Sequence, residues 1–335
     1  MDAPGSSGGR PSPACPLCGG PGRPLYEDMT DLLQDVPGRW TLRLCGSCRL
    51  AWPEPRLGQL ESRYEGYHTH EPLPPEAGGT VRGLLSSVLR ASLGYDRPPP
   101  GLLASLLSLV PVLRDHAAGR ALWIRSVPGG ALLDVGCGNG SFLRRMDELG
   151  WACFGIDPDE RAGAHAGLAP SIRTMNIPLP EARYPSRSFD VVTMIHVLEH
   201  VADPVAMLRE CGRISKPRGE ILVLTPNLDS RGKARFGRDW RGWECPRHLQ
   251  VFSRPSLVAC ARAAGLRPTS CAIPGKAAWW IWTASAGIRD RRLRRGRSPA
   301  GRLASGLEGL VEAVLQSSAP WLGAGDEILL RARPS

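Results

Sequence analysis

Residues 131–140 read Ala-Leu-Leu-Asp-Val-Gly-Cys-Gly-Asn-Gly, the most informative segment of the chain for its fold class. Its apolar first half is typical of a β-strand, and its glycines lead into a helical pattern at 141–149. Glycine lets the backbone approach a ligand closely at the carboxyl end of a strand. A second strand pattern, 152–156, ends at Asp157, where a carboxylate is spaced to accept hydrogen bonds from ribose hydroxyls. This order of elements predicts a site for a nucleoside-containing cofactor.

The chain around this stretch alternates between strand and helix patterns, which is typical of βαβ units and a parallel sheet. The short apolar runs lie at 131–135, 152–156, 189–195 and 219–224. Two more strands are predicted near the end of the chain, at 266–273 and 326–332. Between them lies an insertion at about 274–325, with a predicted helix near 303–315. The pattern therefore predicts an α/β fold whose sheet edge carries this insertion.

Composition limits the class of protein. The chain has 335 residues, of which 42% are apolar and 22% charged, so it can bury a core and is not a disordered or coiled-coil chain. The longest apolar stretches, 101–113 and 277–288, fall short of the ~20 residues that span a bilayer. Residues 1–13 are rich in Gly, Ser and Pro and resemble no signal peptide, so we expect a disordered N-terminus and a cytoplasmic protein.

Four cysteines near the N-terminus form two CxxC pairs: Cys15, Cys18, Cys45 and Cys48. Four thiolates satisfy tetrahedral Zn²⁺ with no open position, so the spacing predicts a structural zinc ribbon over 14–56. Redox pairs or unrelated thiols are the alternatives. Such a ribbon either packs beside a catalytic domain or binds nucleic acid. The predicted organisation continues with a helical, Pro-rich linker at 57–118 and an α/β domain at 119–335.

The glycine turn, Asp134-x-Gly136-x-Gly138-x-Gly140, differs from the GxGxxG of dinucleotide-binding folds. It resembles motif I of class I S-adenosylmethionine-dependent methyltransferases, and 188–204 and 214–227 resemble the fourth and fifth strand regions of that family. The segments 243–253 and 325–333 are similar to a bacterial subgroup in which a CxxC ribbon precedes the domain. This resemblance implies a Rossmann-like, seven-stranded sheet with helices on both faces, preceded by a small zinc ribbon.

The resemblance also implies how S-adenosylmethionine would bind. The glycine turn would surround the methionine part of the cofactor through Asp134, Gly136, Gly138 and Gly140. Asp157 would bind the ribose, and Pro158 would lie beside the adenine. The alternative is that the glycines only make a tight turn.

A second candidate site follows the predicted fourth strand, where His196, Glu199 and His200 would share one helix face. The segment resembles the ubiquinone-pathway O-methyltransferases, whose ExxEH pattern binds a divalent cation, although His196 replaces the first Glu. A His-Glu-His set would suit Zn²⁺, Mn²⁺ or Fe²⁺. The alternative is that Glu199 caps the helix and His200 packs against the cofactor turn. His196 is also a candidate catalytic residue.

His248 is the other candidate catalytic residue. In the family's layout the loop after the fifth strand covers the acceptor pocket, so this imidazole could act as the general base. A structural histidine that hydrogen-bonds the backbone is the competing interpretation.

Three functions are compatible with these residues. The first is transfer of a methyl group to oxygen, or alternatively carbon, of a small-molecule, glycan or lipid-linked acceptor. The second is RNA methylation, suggested by the ribbon and the net charge of +10. Methylation of a base amine usually accompanies an Asp/Asn-Pro-Pro-aromatic turn after the fourth strand, but this position reads Thr193-Met-Ile-His196. The third is a non-catalytic cofactor-binding module. Nucleic acid is therefore not the expected partner.

The insertion adds one possible partner. Trp279, Trp280 and Trp282 precede a run of arginines that ends at Arg297. Aromatic rings suit the headgroup boundary and arginines attract anionic lipid, so 279–297 could contact the inner face of a membrane. The alternative is that the tryptophans pack on the sheet edge and the arginines form a solvated face.

Overall fold

The structure is a computed structural model that describes residues 13–56, 80–95, 101–159, 169–274, 278–293, 307–308, 310–311 and 325–335. The N-terminal ribbon is an antiparallel three-stranded sheet of Gly22–Met29 (β1), Trp40–Cys45 (β2) and Ala51–Glu54 (β3). Three helices follow, Thr80–Leu93 (α1), Leu102–Leu107 (α2) and Pro111–Gly119 (α3). The disorder predicted for 1–13 and the linker at 57–79 lie almost entirely outside the described residues.

Seven strands form the central sheet. In chain order the strands are Ala131–Val135 (β4), Ala152–Ile156 (β5), Arg173–Met175 (β6), Phe189–Ile195 (β7), Ser215–Pro226 (β8), Leu266–Ala272 (β9) and Glu327–Pro334 (β10). The helices among them are Ser141–Glu148 (α4), Pro204–Ile214 (α5), Arg231–Phe236 (α6), Arg254–Ala263 (α7) and Ala278–Arg292 (α8).

The strands lie in the order β6-β5-β4-β7-β8-β10-β9. Neighbouring strands are parallel except β10, which is antiparallel to both β8 and β9. The strand order reverses between β4 and β7, and ligands of such sheets bind at the carboxyl ends of the strands beside this switch point. The predicted Rossmann-like, seven-stranded α/β fold is confirmed.

The side chains of β4 point alternately to the two faces of the sheet, and helices pack on both faces. Leu133 packs in one apolar cluster with Leu208 of α5, whereas its neighbour Leu132 packs in another with Leu143 of α4. Successive side chains of a strand point to opposite faces, so two buried clusters require a strand that is apolar on both sides. This explains why the run at 131–135 is apolar on both faces, apart from the buried Asp134.

Helices α1–α3 belong to the core of the α/β domain. Leu89 and Ala117 are buried in the cluster that contains Leu132. The indole of Trp151 donates to the hydroxyl of Tyr95 over 2.9 Å, and this hydroxyl donates to a backbone carbonyl over 2.9 Å. Buried residues of α1, α2 and α3, in the region that we predicted as a helical linker, thus share a core with the sheet.

The ribbon packs on the segment that follows β8. Trp40 and Leu42 of β2 share a buried cluster with Trp240 and Trp243. The backbones of Ala51 and Val251 exchange two hydrogen bonds, of 3.0 and 2.8 Å. The ribbon therefore lies against the loop that carries His248.

The described part of the insertion is helix α8. Ile281 and Trp282 are buried, and the Trp282 ring packs edge-to-face on Phe236 with centroids 5.4 Å apart. Most of the helix predicted near 303–315 lies outside the described residues. Within the described ranges, no helix combines the length and the apolar character that a bilayer crossing requires.

Candidate active site

The glycine turn lies at the carboxyl end of β4, beside the switch point. Gly136, Gly138 and Gly140 have φ angles of 71°, 50° and 72°, a left-handed conformation that side chains with a Cβ disfavour. A Cβ on Gly136 would also lie 2.4 Å from Cγ2 of Val197. The chain therefore needs glycine at this turn both for its backbone angles and for its close approach to the segment after β7.

Asp157 holds the glycine turn from the neighbouring strand end. Its Oδ2 accepts the Gly138 N–H over 3.0 Å, and its Oδ1 accepts the Asp159 N–H over 3.0 Å. Both oxygens of this carboxylate are hydrogen-bond acceptors, the kind of group that a ribose hydroxyl requires. Pro158 is exposed directly after it. The structure thus places the predicted ribose and adenine residues beside the turn.

Asp134 faces the sheet interior at the end of β4. It is buried, and Thr193 Oγ1 of β7 donates to its Oδ1 over 2.6 Å. Burial raises the pKa of Asp134 to about 7, although the Thr193 hydrogen bond opposes the shift. This side chain ties the two strands together at the switch point.

His196 occupies a left-handed turn after β7, with a φ of 55°. Its Nδ1 lies 3.2 Å from Glu199 Oε1 and its Nε2 lies 2.7 Å from Glu327 Oε1. Burial lowers the pKa of His196, but the hydrogen bonds and charges of these two carboxylates raise it to about 10. An imidazolium that already donates from both nitrogens suits a positioning role better than the predicted role of base or metal ligand.

Glu199 is fully buried in the short 3-10 turn Leu198–His200. Burial raises its pKa, but the hydrogen bond with His196 and the nearby charges lower the value to about 2. Its Oε2 also accepts from Thr225 Oγ1 over 2.9 Å. The carboxylate is therefore ionised and fixed from two sides.

His196, Glu199 and His200 do not share a helix face, because β7 ends in the left-handed turn at His196.

His200 and His248 form an edge-to-face pair with ring centroids 4.7 Å apart. His200 Nδ1 lies 3.1 Å from the Arg247 carbonyl, and His248 Nδ1 lies 2.8 Å from the Gly242 carbonyl. Because a carbonyl only accepts, each Nδ1 carries the proton, and the lone pair of the neutral ring is then on Nε2. Burial lowers the pKa of His248 to about 4, so this ring is neutral at pH 7.

The histidine pair completes a group of candidate metal ligands. One ligand atom each from Glu199, His200 and His248 lie within 4.8 Å of one another. Metal-binding histidines commonly donate the other ring N–H to a carbonyl, as both rings do here. His248 thus takes the place that we predicted for His196, and the group could hold a divalent transition metal.

A buried ionic network holds the loop around His248. Glu244 Oε1 accepts from Arg247 Nε over 3.1 Å, and its Oε2 lies 3.4 Å from His248 Nε2. Arg247 Nη1 donates to Asp31 Oδ2 of the ribbon over 2.6 Å. Burial raises the pKa of Glu244, but Arg241 and the other neighbouring charges hold it well below its usual range. The network joins ribbon, loop and imidazole.

The four ribbon cysteines converge at one point. Their sulfurs lie within 4.8 Å of one another, with Cys15 and Cys48 at 3.6 Å and Cys18 and Cys45 at 3.5 Å. Zn–S bonds of about 2.3 Å in a tetrahedron put the sulfurs about 3.8 Å apart. The Cys48 N–H also donates to Cys45 Sγ over 3.4 Å. The predicted four-cysteine cluster is present, and its donor set fits zinc.

Sequence reasoning missed several partners of the predicted residues: Thr193, Thr225, Glu244 and Glu327. Glu244 and Glu327 lie inside segments that we singled out by resemblance, at 243–253 and 325–333. No local pattern links them to a histidine, because Glu327 reaches His196 across 131 residues of chain.

Comparisons with known proteins identify the family of the chain. A family model described as a methyltransferase domain matches residues 88–270. The ubiquinone biosynthesis O-methyltransferase of Pseudomonas paraeruginosa is 34% identical over 170 residues, which cover 46% of this chain and 73% of the relative. The Ralstonia nicotianae enzyme of the same name is 34% identical over 162 residues, covering 44% and 68%. A methyltransferase structure from Mesorhizobium loti has a TM-score of 0.43 and 17% identity, covering 65% and 97%. The chain belongs to the methyltransferase-domain family, and it is an S-adenosylmethionine-dependent methyltransferase.

Proposed function

We propose that this enzyme methylates an oxygen atom of a small-molecule acceptor and that His248 is its general base. The observation that carries the proposal is the pair of half-buried His200 and buried His248 after the carboxyl end of β7, close to Glu199 and to Val197, which packs on the glycine turn. The relatives named as ubiquinone biosynthesis O-methyltransferases support oxygen as the acceptor atom. A glycan or lipid-linked acceptor remains within the same chemistry.

The residues around the glycine turn fit the cofactor. Gly136, Gly138 and Gly140 would leave room for its methionine part, Asp157 would accept from the ribose hydroxyls, and Pro158 would lie beside the adenine. S-adenosylmethionine supplies an electrophilic methyl group on a sulfonium sulfur. The protein's task is then to align the acceptor and to remove its proton.

The neutral ring of His248 suits proton removal. Its Nδ1–H is fixed on the Gly242 carbonyl, so Nε2 has the lone pair that would take the acceptor's hydroxyl proton. The Glu244 carboxylate, 3.4 Å from Nε2, would stabilise the imidazolium that forms. The oxygen would then form its bond to the methyl carbon as the carbon–sulfur bond breaks.

A second candidate is a metal-assisted transfer, which the grouping of Glu199, His200 and His248 favours. A divalent cation there would lower the pKa of an acceptor hydroxyl directly. The two mechanisms differ in their response to chelators, because only the metal-assisted one loses activity when the cation is removed from this group.

The four ribbon cysteines would hold a structural zinc ion. They are contributed by the two turns that flank β1 and β2, and the ribbon has little apolar interior of its own. The metal would therefore contribute much of the ribbon's folding free energy.

The described part of the insertion supports packing on the protein rather than on lipid. Trp282 is buried, Arg291 donates to the Leu32 carbonyl over 2.8 Å, and Arg292 pairs with Asp239 at 2.6 Å. Trp280 is 49% exposed, with the Arg241 guanidinium 5.2 Å from its ring centroid. The side chain of Trp279 and residues 294–297 lie outside the described residues.

The deciding experiment is transfer of labelled methyl groups from S-adenosylmethionine to fractionated lysate. We expect label in a small-molecule or lipid-extractable fraction, and His248→Gln should lower transfer at least a hundredfold while calorimetric affinity for the cofactor stays unchanged. His116→Gln is the matched control, since His116 is an exposed histidine on α3. Label that enters RNA, or full activity of His248→Gln, would contradict the proposal.

A further inference from the structure

A second concave site lies at the opposite end of the sheet from the glycine turn. Its volume is about 730 Å³, within the range of small-molecule pockets. Its walls come from the segment before β4, the starts of β7 and β8 and the last residues of the antiparallel β10. A five-residue strand such as β4 is roughly 16 Å long, so this cavity is a full strand length away from the cofactor turn.

The cavity has an excess of positive charge. Five basic residues and two carboxylates line it, which gives a net charge of +3: Arg125, Lys216, Arg218, Arg331, Arg333, Asp190 and Glu220. Glu220 is shared by Arg331 at 2.8 Å and Arg333 at 3.1 Å. Asp190 Oδ2 accepts both from Lys216 Nζ at 2.7 Å and from the Ala131 N–H at 2.9 Å. Each carboxylate is thus already used more than once.

Two guanidinium groups at this cavity have no counterion among the described residues. Arg125 and Arg218 are both exposed and come from different elements, and neither forms an ion pair within the described ranges. Electrostatic repulsion from Arg125 contributes to lowering the pKa of Arg331, after the larger effect of burial. Four guanidinium groups and one ammonium group therefore share this end of the sheet with two carboxylates.

The start of β8 is shaped to present cations here. Ser215 pairs with Phe189 and Glu220 pairs with Val191. Between these two pairs β8 advances by five residues, whereas β7 advances by two. The extra residues bulge out of the ladder and carry Lys216 and Arg218 to the cavity. Gly219 closes the bulge, because a Cβ there would lie 3.0 Å from the Lys216 carbonyl oxygen. Bulges next to functional sites commonly redirect side chains in this way.

The opposite wall contains strained backbone. Leu122 and Trp123 both have left-handed φ angles, of 49° and 54°. Arg331 Nη2 donates to the Leu122 carbonyl over 2.6 Å, and the Trp123 indole donates to Asp115 over 2.8 Å. Two consecutive non-glycine residues in this conformation are costly and persist only where their surroundings hold them. Trp123 lines the basic cavity, and Leu122 directly precedes it in the chain.

We propose that this basic cavity binds a diphosphate-bearing small molecule. A phosphomonoester carries about −1.5 to −2 charges at pH 7, so the cavity's net charge of +3 exceeds what one such group neutralises. Arginine forks match phosphate oxygens bidentately, and two free guanidinium groups on separate walls can each take one phosphate group. The site is independent of the methyl-transfer chemistry and of the choice of acceptor.

The test is calorimetric titration of the full chain with inorganic pyrophosphate and with UDP. Saturating S-adenosylhomocysteine is present throughout, so that the glycine turn is occupied and cannot take the nucleoside. We expect one site per chain for both probes and at least tenfold weaker binding by Arg125→Gln/Arg218→Gln. Arg218→Glu should abolish binding, and both arginines are exposed, so the fold should tolerate these changes.

The matched control is Arg23→Gln/Arg254→Gln, which removes two exposed arginines that lie outside the cavity. This variant should bind both probes within twofold of the wild-type chain. The proposal is wrong if the wild-type chain binds neither probe, or if Arg125→Gln/Arg218→Gln binds as tightly as the wild type. Orthophosphate binding as tight as that of pyrophosphate, or an RNA oligonucleotide that binds where pyrophosphate does not, would equally overturn it.

Discussion

The histidines of the active site differ in charge because their neighbours differ. His196 lies between two carboxylates, and its pKa rises to about 10. His248 donates to a carbonyl in a buried setting, and its pKa falls to about 4. Environments that separate the pKa values of neighbouring groups divide their roles. At pH 7, therefore, His196 is a fixed cation and His248 is a free base.

The raised pKa of His196 predicts a pH-dependent contribution to stability. A group with a higher pKa in the folded state stabilises the fold fully below its unfolded pKa, here about 6.5, and this contribution disappears as the pH rises through about 10. We expect the difference in unfolding free energy between the wild type and His196→Gln to shrink from pH 6 to pH 10. Urea denaturation at pH 6, 8 and 10 measures it. A constant difference, like that expected for exposed His116→Gln, would contradict the prediction.

The side chain of Asp157 is expected to contribute to cofactor affinity. Asp157→Asn keeps the size of the side chain but replaces a charged acceptor with a weaker one, so affinity for S-adenosylmethionine should fall at least tenfold, about 1.4 kcal/mol. Calorimetry checks this directly. Glu181→Gln, at an exposed carboxylate after β6, should bind as the wild type does. Unchanged affinity of Asp157→Asn would remove this residue from the cofactor site.

The strands, turns and helices that could be predicted from the sequence are those that depend on neighbouring residues. The apolar run and glycines at 131–140 predicted β4, its turn and α4, because strand period and left-handed turns depend on adjacent residues. The helix expected over His196–His200 did not form, because His196 adopts a left-handed turn in order to face two carboxylates. The pairing of His200 with His248 depends on tertiary packing, and no spacing in the sequence encodes it.

The ion pair between the ribbon and the loop around His248 joins residues that are far apart in the chain. Asp31 and Arg247 are almost fully buried and 216 residues apart. Removing one partner of a buried pair leaves an uncompensated charge, so Asp31→Asn should lower the unfolding free energy by about 3 kcal/mol. Asp28→Asn is the control, because the Asp28–Arg39 pair is exposed and should contribute less than about 1 kcal/mol. If chemical denaturation shows the same loss of unfolding free energy for Asp31→Asn and Asp28→Asn, the buried pair contributes no more to stability than the exposed one.

For the whole molecule, the ribbon and the α/β domain share buried contacts beside the candidate active site. The ribbon contributes Asp31 to the ionic network of Glu244 and His248, and its Ala51 pairs with Val251. The glycine turn contacts Asp157 at the end of β5 and Val197 after β7. Metal loss should therefore act on the acceptor side of the active site and leave the cofactor side in place.

Zinc removal tests this division. We expect about one zinc ion per chain, lost in Cys45→Ser/Cys48→Ser, and a second metal would point to Glu199, His200 and His248. In the zinc-free protein, hydrogen exchange should quicken in 240–253 while β4 and β7 stay protected, because the loop then loses its anchors on the ribbon. Cofactor affinity should stay within threefold of the wild type, as in the control Cys271→Ser. If 240–253 stay protected without zinc, the ribbon does not anchor this loop. If cofactor binding is lost together with the zinc, the ribbon does not act on the acceptor side alone.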